Sequence, residues 1–343
     1  EMDLTSSEEG YFPEPSPGVV NGSRWDGLTG DTKFSMDRGF YESGFDLTIT
    51  TETPGATIQY TTDGTAPSET AGMIYTGPIP INETTVVRAM AYRERYRSTN
   101  VDTHTYLFPE DVVEQPEMRT AITEHAIWGP QMVEALGSVP TISLSFEGSD
   151  IDRTETPVSV ELLNFEDGPK QVNAGVVRYG SYATNFAKRS VCLHFRSRYG
   201  AKRLKYPLFD GHDYPIAPVE DFDSLDLRAG NHDMVARGGY LSNRFADDSM
   251  LDMGQISPHG RFVHLYFNGQ YRGQYHLRER WNAAMLASYL TGEEEEFDTI
   301  NANNAGREFL TGDLQDGDLN EWNSIRTLLN GAQPYNAVKD KLD

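Results

Sequence analysis

The chain has 343 residues, 29 Lys and Arg against 52 Asp and Glu, and a formal charge of −23. That balance argues against general nucleic-acid binding, which needs Lys and Arg to neutralise phosphates. A hydrophobic fraction of 38% and an aromatic fraction of 11% suffice for real cores, and the length suits two domains with connecting segments. No apolar run approaches the roughly 18 residues that a membrane span requires. The acidic start, Glu1–Gly10, does not read as a signal peptide, so the chain is expected to be an internal piece of a longer protein.

Residues 1–33 read as a linker: Pro13, Pro15, Pro17 and the steps Asn21-Gly22 and Asp26-Gly27 leave little to bury. From Phe34 the texture changes. Phe45–Thr50 and Ala56–Thr61 alternate with period two, Asp63-Gly64 marks a tight turn, and Thr84–Tyr92 reads as a further strand. Short strands without helical stretches predict a small antiparallel β-sandwich over 34–108. A connector follows over 109–139, with a short helix at Met132–Leu136.

From Pro140 onward the pattern is mixed and predicts an α+β domain over 140–343. Strands are expected at Thr141–Phe146, Val158–Leu163, Gly175–Tyr179, Ser190–Phe195, Phe262–Asn268 and Tyr271–Leu277. The last two flank Asn268-Gly269, a strong hairpin signal. Helices are expected at Tyr240–Met253, Trp281–Leu290 and Leu319–Asn330, the last with Asp318 as its cap. The charged tail after that helix lacks a closing strand, so the domain is expected to be truncated at its C-terminus and to continue past Asp343.

One local fact concerns chemistry. Between Asp167 and Asp210 there is no acid, whereas 42 average residues of this chain would hold about six. The same window carries Lys170, Arg178, Lys188, Arg189, Arg196, Arg198, Lys202, Arg203 and Lys205. A polyanion or a nucleotide phosphate would explain both observations, since these side chains give charge-assisted hydrogen bonds to phosphate oxygens. The competing reading is a basic strand pair bridged to acidic faces elsewhere. Cys192, the lone cysteine, sits in an alternating run and reads as a buried thiol. The eight histidines show no metal-ligand spacing, and Asn231-His232-Asp233 lacks a serine elbow to make a triad.

Two resemblances attach to particular segments. Gly55–Pro67, with Tyr75–Ile79 and Val86–Tyr92, resembles the chitobiase/β-hexosaminidase C-terminal, fibronectin-III-associated module, an immunoglobulin/fibronectin-like sandwich that serves as a spacer or surface adaptor. Glycan contact is the lesser implication. Lys188-Arg189-Ser190, Phe195, Tyr199-Gly200 and Tyr206–Phe209, then Leu225–Asp233, then His264–Arg280 are similar to successive segments of the CotH kinase family, named for a spore-coat protein kinase.

That second resemblance implies a multidomain, secreted or cell-surface bacterial protein with an atypical protein-kinase-like domain. It implies ATP and Mg²⁺ as cofactors and a Ser or Thr of a surface or coat protein as acceptor. Lys188, with Arg189 and Arg228, would hold the nucleotide phosphates; Asp233 and Glu279 would be catalytic; and Glu279 and Asn282 would lie at the metal. Where many members have Asp three residues after that Glu, this chain has Asn282, which keeps a carbonyl ligand and loses the charge. A non-catalytic assembly or adhesion protein on a degenerate kinase-like fold is the alternative.

Overall fold

The computed structural model describes residues 24–180, 188–211, 213–231, 234, 239–302 and 312–330. Among these, no helix is long and apolar enough to cross a membrane.

The N-terminal module is built on a five-stranded sheet. Its strands are β1 (Gly39–Phe40), β2 (Thr57–Thr61), β3 (Met73–Ile74), β4 (Thr85–Tyr92) and β5 (Asp102–Leu107), in the order β1-β5-β4-β2-β3. Two-stranded pairs face it, Thr32–Phe34 with Ile49–Thr51 and Phe45–Leu47 with Ile79–Ile81. Alternation decides what goes inside. Val87, Ala89 and Ala91 of β4 join Leu47, Ile49, Ile58, Ile81 and Tyr106 in the module's core. Pairing already begins at Gly27–Leu28, which runs parallel to Tyr96–Arg97 inside the stretch whose composition suggests a linker.

The second region differs from the expected α+β texture in being dominated by strands. Seven strands close into a barrel: β6 (Thr141–Ser145), β7 (Thr156–Leu163), β8 (Lys170–Arg178), β9 (Val191–His194), β10 (Ser224–Arg228), β11 (Gly260–Phe267) and β12 (Gln270–Glu279). Their order is β6-β7-β8-β9-β10-β12-β11, and parallel pairing of β11 with β6 closes the ring. Period-two side chains fill the interior: Ile142 and Leu144, Val158 and Val160, Val191 and Leu193, Leu225 and Leu227, Val263 and Leu265, Tyr275 and Leu277. Each fully buried aliphatic chain contributes roughly 1.5–3 kcal/mol. The β11–β12 hairpin turns through Asn268 and Gly269, both at positive φ (47° and 81°), as a two-residue turn of matching twist requires.

Three longer helices are α1 (Ser242–Asp252), α2 (Ala283–Tyr289) and α3 (Asn320–Asn330), close to their expected positions. Asp318 Oδ1 accepts from Asn320 N, 2.7 Å, at the start of α3. The expected short helix is at Met132–Leu136. The pair Thr299–Ala302 and Gly312–Asp316 has no counterpart in the sequence reading, because neither segment alternates cleanly.

The sandwich is set directly on the barrel. Thr103, Thr105 and Leu107 point out of the sandwich core and are fully buried, as are Thr141, Ser143 and Glu161 on the barrel's outer face. Thr105 N donates to Glu161 Oε1 (3.0 Å), and the Thr105 and Ser143 hydroxyls are 2.9 Å apart. Arg38 approaches Glu161 at 3.5 Å. Beside this polar seam, Leu107 and Val112 pack with Leu136, Leu163 and Tyr266. Gln115 of the connector donates to Gly269 O and accepts from Tyr271 N, pinning the connector to the barrel hairpin.

Candidate functional site

The expected phosphate-binding residues lie where β9 begins and β10 ends. Antiparallel pairing sets Val191 opposite Leu227, so Lys188-Arg189-Ser190 runs beside Arg228–Asn231. Two side-chain bonds fix this junction: Ser190 Oγ accepts from Ala229 N (3.0 Å), and Asn231 Nδ2 donates to Lys188 O. Gly230 is required at φ +70°, and a Cβ there would come 2.2 Å from the Tyr240 ring.

The Lys188 ammonium donates to Gln274 O and lies 4.4 Å from the centre of the Tyr275 ring and 5.2 Å from that of Tyr240. Among the described residues it makes no ion pair. Burial lowers its pKa to about 8. A cation held by ring faces and one carbonyl, with no carboxylate spent on it, can take an anionic ligand. Arg189 is tied at 3.2 Å to Asp150, and its carbonyl accepts from the Tyr275 hydroxyl.

Arg228 extends this site along the outer face of the barrel. It sits opposite His276, whose pKa falls to about 2, chiefly by burial and then through the guanidiniums of Arg244, Arg278 and Arg228. Arg278 bridges to Asp247 of α1 at 3.4 Å, and Arg280 to the buried Asp226 at 3.0 Å. Helix α1 therefore turns charge inward, with Arg244 buried, while Phe245 is 74% and Met253, just past its end, 65% exposed.

Glu279 and Asn282 are at the other end of these strands. Glu279 pairs in register with Leu225 and lies five positions along β12 from Gln274, roughly 17 Å at ~3.4 Å per residue. Glu279 is thus well removed from Lys188. Its alternation with Tyr275 and Leu277 turns it inward, where it is 2% exposed. Oε2 accepts from His259 N (2.7 Å) and faces His259 Nδ1 (3.0 Å), while Oε1 accepts from the Tyr289 hydroxyl (2.6 Å). His259 Nε2 faces Ile216 O at 2.9 Å, and Tyr289 also accepts from Val219 N. This network fastens α2 and the 216–219 loop to the end of the barrel. Nothing in the sequence pattern marks His259 or Tyr289 as partners of Glu279.

Asn282 caps α2. Its Oδ1 accepts from Met285 N (2.9 Å), and its Nδ2 donates to Asp223 (2.9 Å) and to Ser224 Oγ (3.1 Å). Glu279 and Asn282 are committed to the protein's own hydrogen bonds, and Mg²⁺ would have to displace these to be held by them. This donor pair does not fit the ion as it stands. Beside Arg228 and Arg278, the buried Tyr179 hydroxyl and Arg278 Nε lack a hydrogen-bond partner, although the Asp226 carboxylate lies 3.9 Å from that Nε. Asp233, the other catalytic candidate, lies outside the described residues.

The acid-poor window is largely answered from outside. Arg189 meets Asp150, Arg196 and Arg198 meet Glu155 at 3.3 and 2.5 Å, and Arg203 meets Asp221 at 2.7 Å. For these four arginines the bridged-strand reading is the one observed. Cys192 is buried and its pKa is raised by burial, as an inert thiol's would be.

Residues 177–338 match the family described as CotH kinase protein, and residues 47–106 match the family described as Fn3 associated. The chain therefore carries an Fn3-associated β-rich module followed by a CotH kinase-family domain, in the order their segments suggest. The second match starts within β8, so β6 and β7, which complete the barrel, precede it. No curated protein matches the chain.

Proposed function

We propose that this chain is the kinase-like part of an exported or surface-located bacterial protein, and that it binds ATP at the Lys188 end of the barrel. The reaction is transfer of the γ-phosphoryl group to a Ser or Thr hydroxyl of a surface or coat protein. The observation that carries this reading is Lys188 itself. It is a partly buried ammonium with no ion pair among the described residues, at the junction that also presents Arg189 and Arg228, in a CotH kinase-family domain.

Lys188, Arg189 and Arg228 would hold the phosphates, and the donor chemistry they supply is positioning and charge neutralisation. Bound ATP with its metal supplies the transferable phosphoryl group. No step is assigned to Glu279 or Asn282 as metal ligands, because their oxygens serve the His259–Tyr289 network and the α2 cap.

The test is calorimetric titration of ATP into the full chain, with and without Mg²⁺, against Lys188→Ala. Binding that the variant loses, with unfolding temperature preserved, supports the nucleotide site. Equal binding by both proteins, or none by either, removes it.

A second reading has its own observation. The complete engagement of Glu279 and Asn282 in structural bonds suits a non-catalytic platform for surface assembly or adhesion. Glycan contact by the N-terminal module belongs with that reading. ATP binding without phosphoryl transfer to any surface protein offered would favour it.

A further inference from the structure

The ion pairs that absorb four arginines of the acid-poor window leave its lysines. A groove of about 540 Å³ runs beside β8 and the segment Ala201–Lys205, and is lined by Lys170, Lys202, Arg203 and Lys205 with a single carboxylate, Asp221. That carboxylate is already spent. Arg203 Nε donates to Asp221 Oδ1 at 2.7 Å, and Arg203 Nη2 donates to the Asp221 carbonyl at 2.9 Å.

The three ammonium groups have no such partner among the described residues. Lys170 Nζ donates to Lys205 O (2.6 Å) and lies 5.6 Å from the centre of the Tyr206 ring, so a carbonyl and a ring face hold it in place. Lys202 and Lys205 are exposed. On a chain of charge −23, three uncompensated lysines around one groove are a local reversal of sign. A bound anion would relieve their mutual repulsion.

The neighbouring cavity limits where that anion sits. It shares Lys202 and Arg203 and adds Arg196 and Arg280, which are already paired with Glu155 and Asp226, but it also carries Asp223, Glu294 and Asp316, which repel negative charge. The favourable side is therefore that of Lys170 and Lys205. Lysines are compact charges with rotatable donors, and three of them suit a flexible ligand with several negative charges in sequence more than one planar carboxylate.

We propose that this groove binds a phosphate-bearing polyanion, at a site separate from the Lys188 end and independent of the kinase reading. The shared chemistry is at least three closely spaced phosphates, free or carried on a peptide.

The probe is sodium tripolyphosphate, titrated into the full chain at low and at physiological salt. Expected are saturable binding that weakens with salt, and an affinity at least roughly tenfold lower in K170Q/K202Q/K205Q, since each removed charge takes charged hydrogen bonds with it. The comparison is repeated in Lys188→Ala, where tripolyphosphate no longer occupies the nucleotide end: saturable binding should persist there and fall when K170Q/K202Q/K205Q is added, which keeps the result distinct from failure of the nucleotide site. Because Lys170 is on a barrel strand, the exposed Lys202→Gln serves as a second variant, with roughly twofold to threefold weaker binding and an unchanged unfolding temperature. A phosphoserine-rich peptide that competes with the probe places the phosphates on protein; failure to compete leaves free polyphosphate as the ligand. No binding by the wild-type chain, binding undiminished in the triple variant, or binding lost in Lys188→Ala would each overturn the proposal.

Discussion

The barrel interior and the seam beneath the sandwich are both sealed from water, yet they are built from opposite materials. Inside the barrel, Ile142, Leu144, Val160, Leu193 and Leu265 pack as apolar side chains. At the seam, Thr103, Thr105, Ser143 and Glu161 are all at 0% exposure, and the contact works by hydrogen bonds. An apolar core tolerates sliding as long as volume is kept, whereas a polar seam holds only in the register that satisfies its donors. On the edge away from β4, β5 lacks a strand partner beside Thr103 and Thr105, because β1 pairs only with Tyr106 and Leu107. Barrel side chains take the exposed edge instead: Thr105 N goes to Glu161 and Thr103 N to Gln171. The N-terminal module is thereby a covered part of the barrel's architecture, unlike a bead on a flexible string.

The sharpest way to break that contrast is Glu161→Ala. It strands the buried Thr105 N–H and hydroxyl and removes the group that Arg38 approaches, and each buried polar group left unsatisfied costs roughly 1–3 kcal/mol. We expect a large fall in unfolding temperature, with sandwich and barrel melting in one transition. Two separate transitions with the barrel's unchanged would show that the seam does not couple them. Leu144→Ala in the barrel interior is the counterpart, at about 3 kcal/mol for a buried leucine, and it should leave the seam's hydrogen-exchange protection in the remaining folded state intact.

Glu161 also gives the seam a pH dependence of known sign. Burial raises its folded-state pKa, against the opposing pull of Arg38 and the Thr105 hydrogen bonds. The folded state then holds a proton that the unfolded state releases in the ordinary carboxylate range. Its contribution is full below that range and is lost as pH rises through the raised folded value. Glu161→Gln should retain most of the stability lost in Glu161→Ala and should flatten this part of the profile in denaturant titrations at stepped pH. A wild-type profile that gains stability with pH across the same window, relative to Glu161→Gln, would reverse the assignment.

The sequence made the regular parts legible because their signals are local. Alternation located β7, β9, β11 and β12 within a few residues, Asn268-Gly269 located the hairpin, and the segment following Lys188 could be read as a strand. What escaped was long-range. Parallel closure of β11 on β6 brings together residues about 120 apart in the chain, and no local pattern encodes that pairing. The acids that answer the basic window, Asp150, Glu155 and Asp221, lie outside it. Glu279 carried the right residue type for chemistry, but its inward direction follows from barrel closure, which turns its parity with Leu277 into burial. The setting of Lys188 was easier to place, because the segment after it pairs with β10 and β10 pairs with β12, which carries Tyr275.

The smallest effect sharpens the contrast between the two ends of β12. Asn282→Ala removes the α2 cap and leaves Asp223 with Ser224 Oγ but without the amide donor, a loss of about 1 kcal/mol by the usual worth of a cap. Asn282→Asp separates two roles that the wild-type residue combines. Aspartate caps as well as asparagine does, so Met285 N keeps its acceptor. The amide that donated to Asp223 at 2.9 Å is replaced by a carboxylate facing a carboxylate. Such a pair is unfavourable at neutral pH unless a proton or a cation enters between them. If the end of the barrel at Glu279 is structural only, Asn282→Asp should lower the unfolding temperature slightly, and added Mg²⁺ should not restore it. Recovery by Mg²⁺ in Asn282→Asp, absent in the wild type and in Asn282→Ala, would instead mean that one substitution separates this end from a metal site.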